Sequence, residues 1–398
     1  MIEVVGIGAA GWASLAAAER TRVLAARRVL GGARHLDLLP YVPGQERTAW
    51  PADLRGALPA LVAGHETEPV VVLASGDPLV AGVGGTLVEL FGAGAVRVHP
   101  HVSSVALAAA RMGWSADSYA VLRLRGNDVD LLRRELFSGR RLLVLARDAA
   151  SPAEIAALLV ECGYGDSVLT VLGDLGSVAE SRQDVPAVDW SGPGPDLHVV
   201  CVSCTAGPAT ATGSLAPGLP DPAYDHDGQL TKRDVRSSAL AHLQPRPGEL
   251  LWDVGAGAGS IAIEWMRSHP SCRALAVEQH ELRAKRIAAN AAALGVPGLQ
   301  TVLGAAPEAL VGLPVPDAVF VGGGAGDETL TVAWSALRSG GRLVVHAVTQ
   351  ETEMLLAARW REHGGELTRI SVEHLEPIGR SHGWKPARAV VQWSAHKP

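Results

Sequence analysis

One stretch of this chain governs what the rest can become. Residues 206–220 read Ala-Gly-Pro-Ala-Thr-Ala-Thr-Gly-Ser-Leu-Ala-Pro-Gly-Leu-Pro, with no charge and no apolar periodicity. Proline and glycine at that density favour neither helix nor sheet, so the stretch reads as a linker. It leaves residues 1–205 and 221–398 as two domains, each long enough to fold around its own core. The 398 residues and 47% hydrophobic content agree with two globular units. No run approaches the ~18 continuous apolar residues of a spanning helix. The opening Met1-Ile-Glu-Val-Val-Gly-Ile-Gly lacks the basic region of a signal peptide and reads as a strand. The expectation is a cytoplasmic protein without a membrane partner. Lys+Arg 35 against Asp+Glu 41 gives a net charge of −6. That balance argues against nucleic acid, whose binding relies on basic surface to displace phosphate counterions.

Cysteine chemistry is excluded by spacing. Cys201 and Cys204 make one CxxC, with no second pair nearby and an apolar run, Leu197-His-Val-Val-Cys-Val-Ser-Cys, around them. They read as buried structural thiols. With no HxxxH or HExxH either, no metal site is expected.

Both halves alternate short β-branched runs with Ala/Leu-rich helical stretches, which predicts parallel sheets covered on both faces. In the first half the strands are expected at 2–7, 70–74, 96–99, 120–124, 142–146, 168–172 and 197–202. Helices are expected there at 14–26, 80–91, 102–112, 128–137 and 152–162, and the polar region around Asp117 divides the half into two lobes. In the second half a helix over 231–243 opens with Thr231 and Asp234 in capping-box spacing. Strands at 250–254, 273–277, 299–303, 317–321 and 342–347 alternate with helices at 260–268, 280–294, 328–337 and 349–363. A late antiparallel pair near 367–373 and 389–393 completes a seven-stranded doubly wound α/β sheet.

Two glycine loops differ in what surrounds them. Leu250-Leu-Trp-Asp-Val-Gly-Ala-Gly-Ala-Gly-Ser-Ile runs from strand through a glycine turn into a helix. Gly255, Gly257 and Gly259 let backbone approach a ligand closely, and the helix start offers free N–H donors. Glu278 ends the next strand, where a carboxylate can accept both hydroxyls of a ribose. The N-terminal Gly6-Ile-Gly-Ala-Ala-Gly11 is a literal GxGxxG, but the next strand runs through Arg27-Arg-Val-Leu-Gly-Gly-Ala-Arg-His without an acid. A dinucleotide site is therefore not expected there, and a tight strand–helix turn is.

These residues carry resemblances. Asp253, the GxGxG loop, Glu278 and Gly304-Ala-Ala-Pro-Glu, in that order, resemble a class I S-adenosylmethionine (SAM) methyltransferase, a Rossmann-like fold. Val71-Val-Leu-Ala-Ser-Gly-Asp-Pro, with the first glycine loop and Gly31-Gly-Ala-Arg-His-Leu36, resembles the tetrapyrrole methylase family. That family is a class III SAM-dependent fold of two αβα lobes. The pairing of both halves resembles the two-domain, decarboxylating precorrin C5,15-methyltransferase family of the cobalamin (vitamin B12) pathway. Asp225-His-Asp-Gly-Gln-Leu-Thr-Lys-Arg-Asp-Val-Arg236 and His382-Gly-Trp-Lys-Pro-Ala-Arg388 match its flanking motifs.

The resemblance implies one SAM per domain. The N-terminal half is expected to methylate C5 of a reduced precorrin. The C-terminal half is expected to methylate C15 and remove CO2 from the C12 acetate. Implied cofactor contacts are Gly76, Asp77, Val80, Ser103 and Ser104 in the first half. In the second they are Thr231, Gly255, Ala256, Gly257, Ala258, Gly259, Glu278 and Ala306, with Ala305 standing where many class I enzymes carry an acid. The tetrapyrrole bears many carboxylates, so basic groups are expected at its clefts: Arg34 and His35 in the first half, His382 and Lys385 in the acid-free stretch 379–398. His226 and Asp227 are candidates for substrate contact and proton handling, and no catalytic residue is singled out. Related C-terminal units form tetramers, which implies a homo-oligomer. Two rival readings are a class I methyltransferase acting on RNA or another substrate, and a non-catalytic SAM- or tetrapyrrole-binding regulator. The first is disfavoured by the net charge and by the uncharged Val319-Phe-Val-Gly-Gly-Gly-Ala-Gly, where an Asn/Asp-Pro-Pro-aromatic loop belongs.

Overall fold

The computed structural model describes residues 1–124, 128–208, 210 and 214–398, so part of the expected linker lies outside the described residues. The chain forms two compact units: Met1–Val129 with Phe137–Ala211, and Asp130–Leu136 with Thr212–Pro398. The short insertion at 130–136 thus groups with the second unit, and residues 128–135 form a 3-10 helix where an α-helix was expected.

Unit 1 has two sheets. The first joins β1 (Ile2–Ile7), β2 (Arg28–Gly31), β3 (Glu46–Ala49), β4 (Val70–Ser75) and β5 (Val96–His99) in the order β3-β2-β4-β1-β5, all parallel. Its helices are α1 (Ala17–Ala25), α2 (Ala33–Asp37), α3 (Leu54–Leu61) and α4 (Val83–Phe91). β1 is buried along its whole length, and β4 along all but its last residue. Unbroken apolar runs such as Val70-Val-Val-Leu are what a strand covered on both faces requires.

α5 (Ser104–Met112) leads into the second sheet: β6 (Ala120–Arg123), β7 (Arg141–Leu145), β8 (Val168–Gly173), β9 (Ser181–Pro186) and β10 (His198–Ser203), with α6 (Ser151–Glu161). Its order is β6-β7-β10-β8-β9, and only β6 and β7 are parallel, so the second lobe is mostly antiparallel rather than parallel as alternation suggested. β3 and β9 escape the apolar-run reading because they are exposed edge strands carrying charge, which also discourages edge-to-edge pairing. Cys201 and Cys204 are buried free thiols, both pushed up to about 12 by burial.

Unit 2 is one seven-stranded sheet. In chain order its elements are α7 (Arg233–Leu243), β11 (Leu250–Val254), α8 (Ser260–Ser268), β12 (Arg273–Glu278), α9 (Glu281–Ala293), β13 (Gln300–Leu303), β14 (Ala318–Val321), α10 (Asp327–Ala336), β15 (Arg342–Ala347), α11 (Gln350–His363), β16 (Glu366–Ile370), the hairpin β17 (Glu373–Ile378) and β18 (Ser381–Pro386), and β19 (Val390–His396). The order β13-β12-β11-β14-β15-β19-β16 is doubly wound, with β19 antiparallel to both neighbours. Two apolar clusters cover its faces, one with Leu240, Ile261 and Trp265, the other with Trp252, Leu330 and Trp393.

The expected capping box does not form. α7 begins at Arg233, its N-cap is Lys232, and no side chain of the cap residue accepts a bond. Asp221, from outside the helix, accepts the Arg233 N–H at 3.0 Å. The first-turn donor is satisfied by a residue that local spacing cannot reveal. Behind it, Glu264 on α8 accepts from Gly218 N, Leu219 N, the Tyr224 hydroxyl and Arg236 Nε, a buried cluster that pins the segment entering unit 2.

Candidate functional site

In unit 2 the carboxyl ends of the parallel strands converge, the position where doubly wound sheets bind ligands. Gly255, Gly257 and Gly259 all have positive φ, at 67°, 59° and 77°. A Cβ on Gly255 would sit 2.6 Å from the Gly323 carbonyl, and one on Gly257 would sit 2.7 Å from that of Gln229. The loop can exist only as glycine, and its own backbone is tied down: Gly255 N and Ala256 N donate to the Val277 carbonyl at 3.0 and 3.1 Å, and Gly259 N donates to that of Ala256 at 2.8 Å. Glu278, 4% exposed, accepts from Gly257 N at 2.9 Å and from His280 N at 3.0 Å. Its carboxylate is thereby fixed beside the loop.

Asp253 secures the same loop from below. Its Oδ2 accepts from Ala262 N at 3.0 Å, in the first turn of α8, while its Oδ1 is buried without a partner. Burial pushes this carboxyl up to about 7; the Ala262 N–H opposes the shift and nearby Glu278 adds to it.

A cavity of about 1110 Å³ opens over this floor. Thr231, Gly255, Ala256, Gly257, Glu278 and Ala306 line it, together with Gly322, Gly323 and Gly324 beyond β14 and His346 on β15. Ala258 and Gly259 do not line it: Ala258 is buried with its carbonyl accepting from Asn290, and Gly259 is the N-cap of α8. The basic groups on the wall are Lys232, Arg233, Arg283, Arg388 and the imidazoles His346 and His374.

The expected substrate residues of this unit lie elsewhere. His382 and Lys385 stand on exposed β18, outside the cavity lining, and Lys385 pairs with Glu376 at 2.9 Å. Asp227 is held at about 2, first by its hydrogen bond from Arg283, so it stays ionised and engaged at neutral pH. His226 accepts from Gly228 N at 3.0 Å in the turn before α7. Sequence reasoning missed Arg233 and His346. Arg388 was visible only as one basic residue of the stretch 379–398.

In unit 1 three segments meet. Gly76, at φ +55°, packs its turn against Val102 and Ser103, since a Cβ there would lie 3.2 Å from Val102 O and Ser103 Cα. Asp77 Oδ1 accepts from Leu79 N at 2.8 Å, and its carbonyl from Val80 N. Ser103 caps α5 through Ala106 N at 3.0 Å, and Ser104 is the first residue of that helix. Arg34 is exposed on α2 with its guanidinium 3.1 Å from His35 Nε2 and 3.4 Å from Ser75 Oγ at the end of β4. Burial, then the Arg34 charge, takes His35 down to about 4.

Among the described residues no cluster of three or more His, Cys, Asp or Glu could hold a metal ion, and no helix is long and apolar enough to cross a membrane. A doubly wound sheet with an anchored glycine loop and an acidic second strand end defines unit 2 as the fold of a class I SAM-dependent methyltransferase. Comparison with known proteins agrees. Residues 222–397 match the family described as Precorrin methyltransferase domain, and residues 1–182 match Tetrapyrrole (Corrin/Porphyrin) Methylases. A Sinorhizobium protein named precorrin-6Y C(5,15)-methyltransferase (decarboxylating) is 43% identical over 99% of this chain and 95% of its own. Two Salmonella typhimurium proteins match less than half of the chain each. One, named cobalt-precorrin-6B C(15)-methyltransferase (decarboxylating), is 31% identical over 42% of this chain and 89% of its own. The other, named cobalt-precorrin-7 C(5)-methyltransferase, is 34% identical over 43% of this chain and 83% of its own. The chain belongs to the precorrin-6Y C5,15-methyltransferase (decarboxylating) family, and is an enzyme of that family.

Proposed function

We propose that the two units divide the family's chemistry on one reduced precorrin. Residues 221–398 methylate C15 and release the C12 acetate carboxyl as CO2, and residues 1–205 methylate C5, each with its own SAM. Bound SAM supplies a methyl group already activated by sulfonium charge. What remains for the protein is alignment, exclusion of water and recognition.

In unit 2, Glu278 would accept the ribose hydroxyls, the 255–257 backbone would lie along the amino-acid portion, and Ala306 would contact the adenine. The fit is supported by a glycine loop that lines the cavity and by a carboxylate already oriented by two N–H groups. Arg233 and Arg388, on the cavity wall and without a carboxylate partner among the described residues, suit a substrate rich in carboxylates. In unit 1 the corresponding cofactor contacts are Gly76, Asp77, Val80, Ser103 and Ser104, with Arg34 and His35 near the macrocycle. The division is supported by the two Salmonella relatives, which carry the C15 and C5 names on separate chains. The reading also takes the protein as a cytoplasmic homo-oligomer, a tetramer through the C-terminal half, on the resemblance alone.

The anchored Glu278 beside an open cavity is the observation that carries this reading. Glu278→Ala in the intact chain should weaken one of two SAM sites by about 1–3 kcal/mol on calorimetry, through a lost charge-assisted contact. Product NMR should then find the C5 methyl retained, with C15 methylation and CO2 release both slowed. Unchanged affinity at both sites would remove Glu278 from the cofactor and unit 2 from this role.

A further inference from the structure

A line of three polar side chains runs from the cavity wall of unit 2 into its sheet. His346 and Gln392 face each other across β15 and β19. His346 is 7% exposed, with Nε2 2.9 Å from Gln392 Oε1. Gln392, 1% exposed, places its own Nε2 3.1 Å from Nδ1 of His242 on α7, a nitrogen that also lies 2.9 Å from the Ser238 carbonyl. The Phe320 ring meets the His346 ring edge-on at 4.9 Å. With the Gln392 carbonyl accepting, His346 carries its proton on Nε2. Among the described residues its Nδ1 then has no hydrogen-bond partner, although the residue lines the cavity beside glycines 322–324. A core histidine normally satisfies both nitrogens; one locked on a neutral amide and one left for a ligand is the arrangement of a working imidazole.

We propose that His346 is the catalytic acid for CO2 loss in unit 2, with Gln392 and His242 as positioning residues; this rests on the function proposed above. Nδ1 takes a proton from solvent and gives it to a carbon of the conjugated macrocycle. The σ pair of the C–CO2 bond flows into the protonated system as CO2 departs. The product has lost CO2 and gained one proton, so no oxidant or reductant is involved. Methyl transfer onto an enamine-like carbon does not use this proton. Burial takes the free imidazole down to about 4, the Gln392 bond opposing and His242, the titratable group facing it from α7, adding. A bound polycarboxylate brings negative charge that favours the imidazolium, so the acid forms when substrate is present. Arg388 and His374 face the same cavity and hold the substrate's other carboxylates.

The test uses the intact enzyme with methyl-labelled SAM and a reduced precorrin, measuring CO2 released per C15 methyl transferred. His346→Gln keeps a group able to bond Gln392 but has no titratable nitrogen. CO2 per methyl should fall on the order of 100-fold, as for a lost general acid, with SAM affinity and C15 methylation within a few-fold. Gln392→Met leaves the imidazole but removes the bond that favours its charged form. CO2 release should fall about tenfold, and its loss of rate with rising pH should move to lower pH. An unchanged ratio in His346→Gln, or equal loss of methyl and CO2, overturns the proposal. A wild-type enzyme that binds SAM yet performs neither reaction in unit 2 overturns the underlying reading instead, and this inference with it.

Discussion

The two glycine loops are nearly the same in letters and differ in backbone conformation and in the carboxylates beside them. In unit 2 all three glycines adopt positive φ, and their missing side chains let the loop pack against the backbone of Gly323 and Gln229 and the side chain of Ile287. In unit 1 only Gly11 of the motif does so. A Cβ on Gly6 would strike the Gly76 carbonyl at 2.2 Å, and one on Gly8 would meet the His101 ring at 2.9 Å. In both loops the space beside the glycines is filled by the protein. The strands feeding the loops differ too: β11 delivers buried Asp253 before its turn, whereas β1 delivers Val4 and Val5. A glycine motif therefore reports only a tightly packed backbone, and the carboxylates beside it, Asp253 and Glu278 in unit 2, distinguish one loop from the other.

The comparison breaks if alanine is equally harmful at Gly255 and at Gly8. Gly255→Ala must push a Cβ into Gly323 backbone at a φ that side chains rarely adopt. It should cost unit 2 about 3 kcal/mol or more and abolish its SAM binding. Gly8→Ala meets only the edge of a half-buried imidazole that can turn away, and should cost about 1 kcal/mol. Denaturation midpoints and calorimetric SAM stoichiometry report both. Equal losses would mean that the His101 ring cannot give way and that the two loops are held equally tightly.

Asp253 sharpens the contrast through pH. Its folded carboxyl sits at about 7, well above the ordinary 3.8 of an aspartate, so the folded state holds the proton more tightly than the unfolded chain. Its contribution to stability is full below about pH 4, and is lost as pH rises through about 7. Asp253→Asn keeps an acceptor for the Ala262 N–H and cannot ionise. Relative to wild type it should gain about 2–4 kcal/mol between pH 4 and pH 8. Parallel stability curves for the two proteins across that range would show that Asp253 is not held in this way.

Most of the skeleton was legible because buried parallel strands announce themselves as unbroken apolar runs; β1, β11 and β15 fall where the runs do. Edge strands carry no such signal. β3 reads Glu-Arg-Thr-Ala and β18 reads Ser-His-Gly-Trp-Lys-Pro, and pairing alone makes them strands. The loop and its acid, Gly255 to Glu278, were legible because they lie close in sequence. The cavity wall was not. Asp221 caps α7 from 12 residues away, and His346 acquires its meaning only from Gln392 on a strand that folds back beside it. Basic residues in the terminal stretch looked equivalent until the hairpin turned Lys385 toward Glu376 and left Arg388 on the cavity.

The smallest effect separates cofactor contact from scaffolding in unit 1. Ser103 was expected near SAM, and its hydroxyl is occupied in capping α5, with Ala106 N at 3.0 Å. Ser103→Ala should lower stability by about 1 kcal/mol, the usual value of an N-cap. If the side chain does no more than cap, SAM affinity at this unit should stay within about twofold, since under 0.5 kcal/mol is then at stake. Ser103→Asp separates the roles further, because an aspartate caps as well as serine while adding a charge beside the Gly76 turn. Stability restored with affinity altered would place the cofactor against this turn. Both restored together would leave Ser103 as scaffold, and unit 1 would then hold its ligand through the backbone of Gly76 and Asp77.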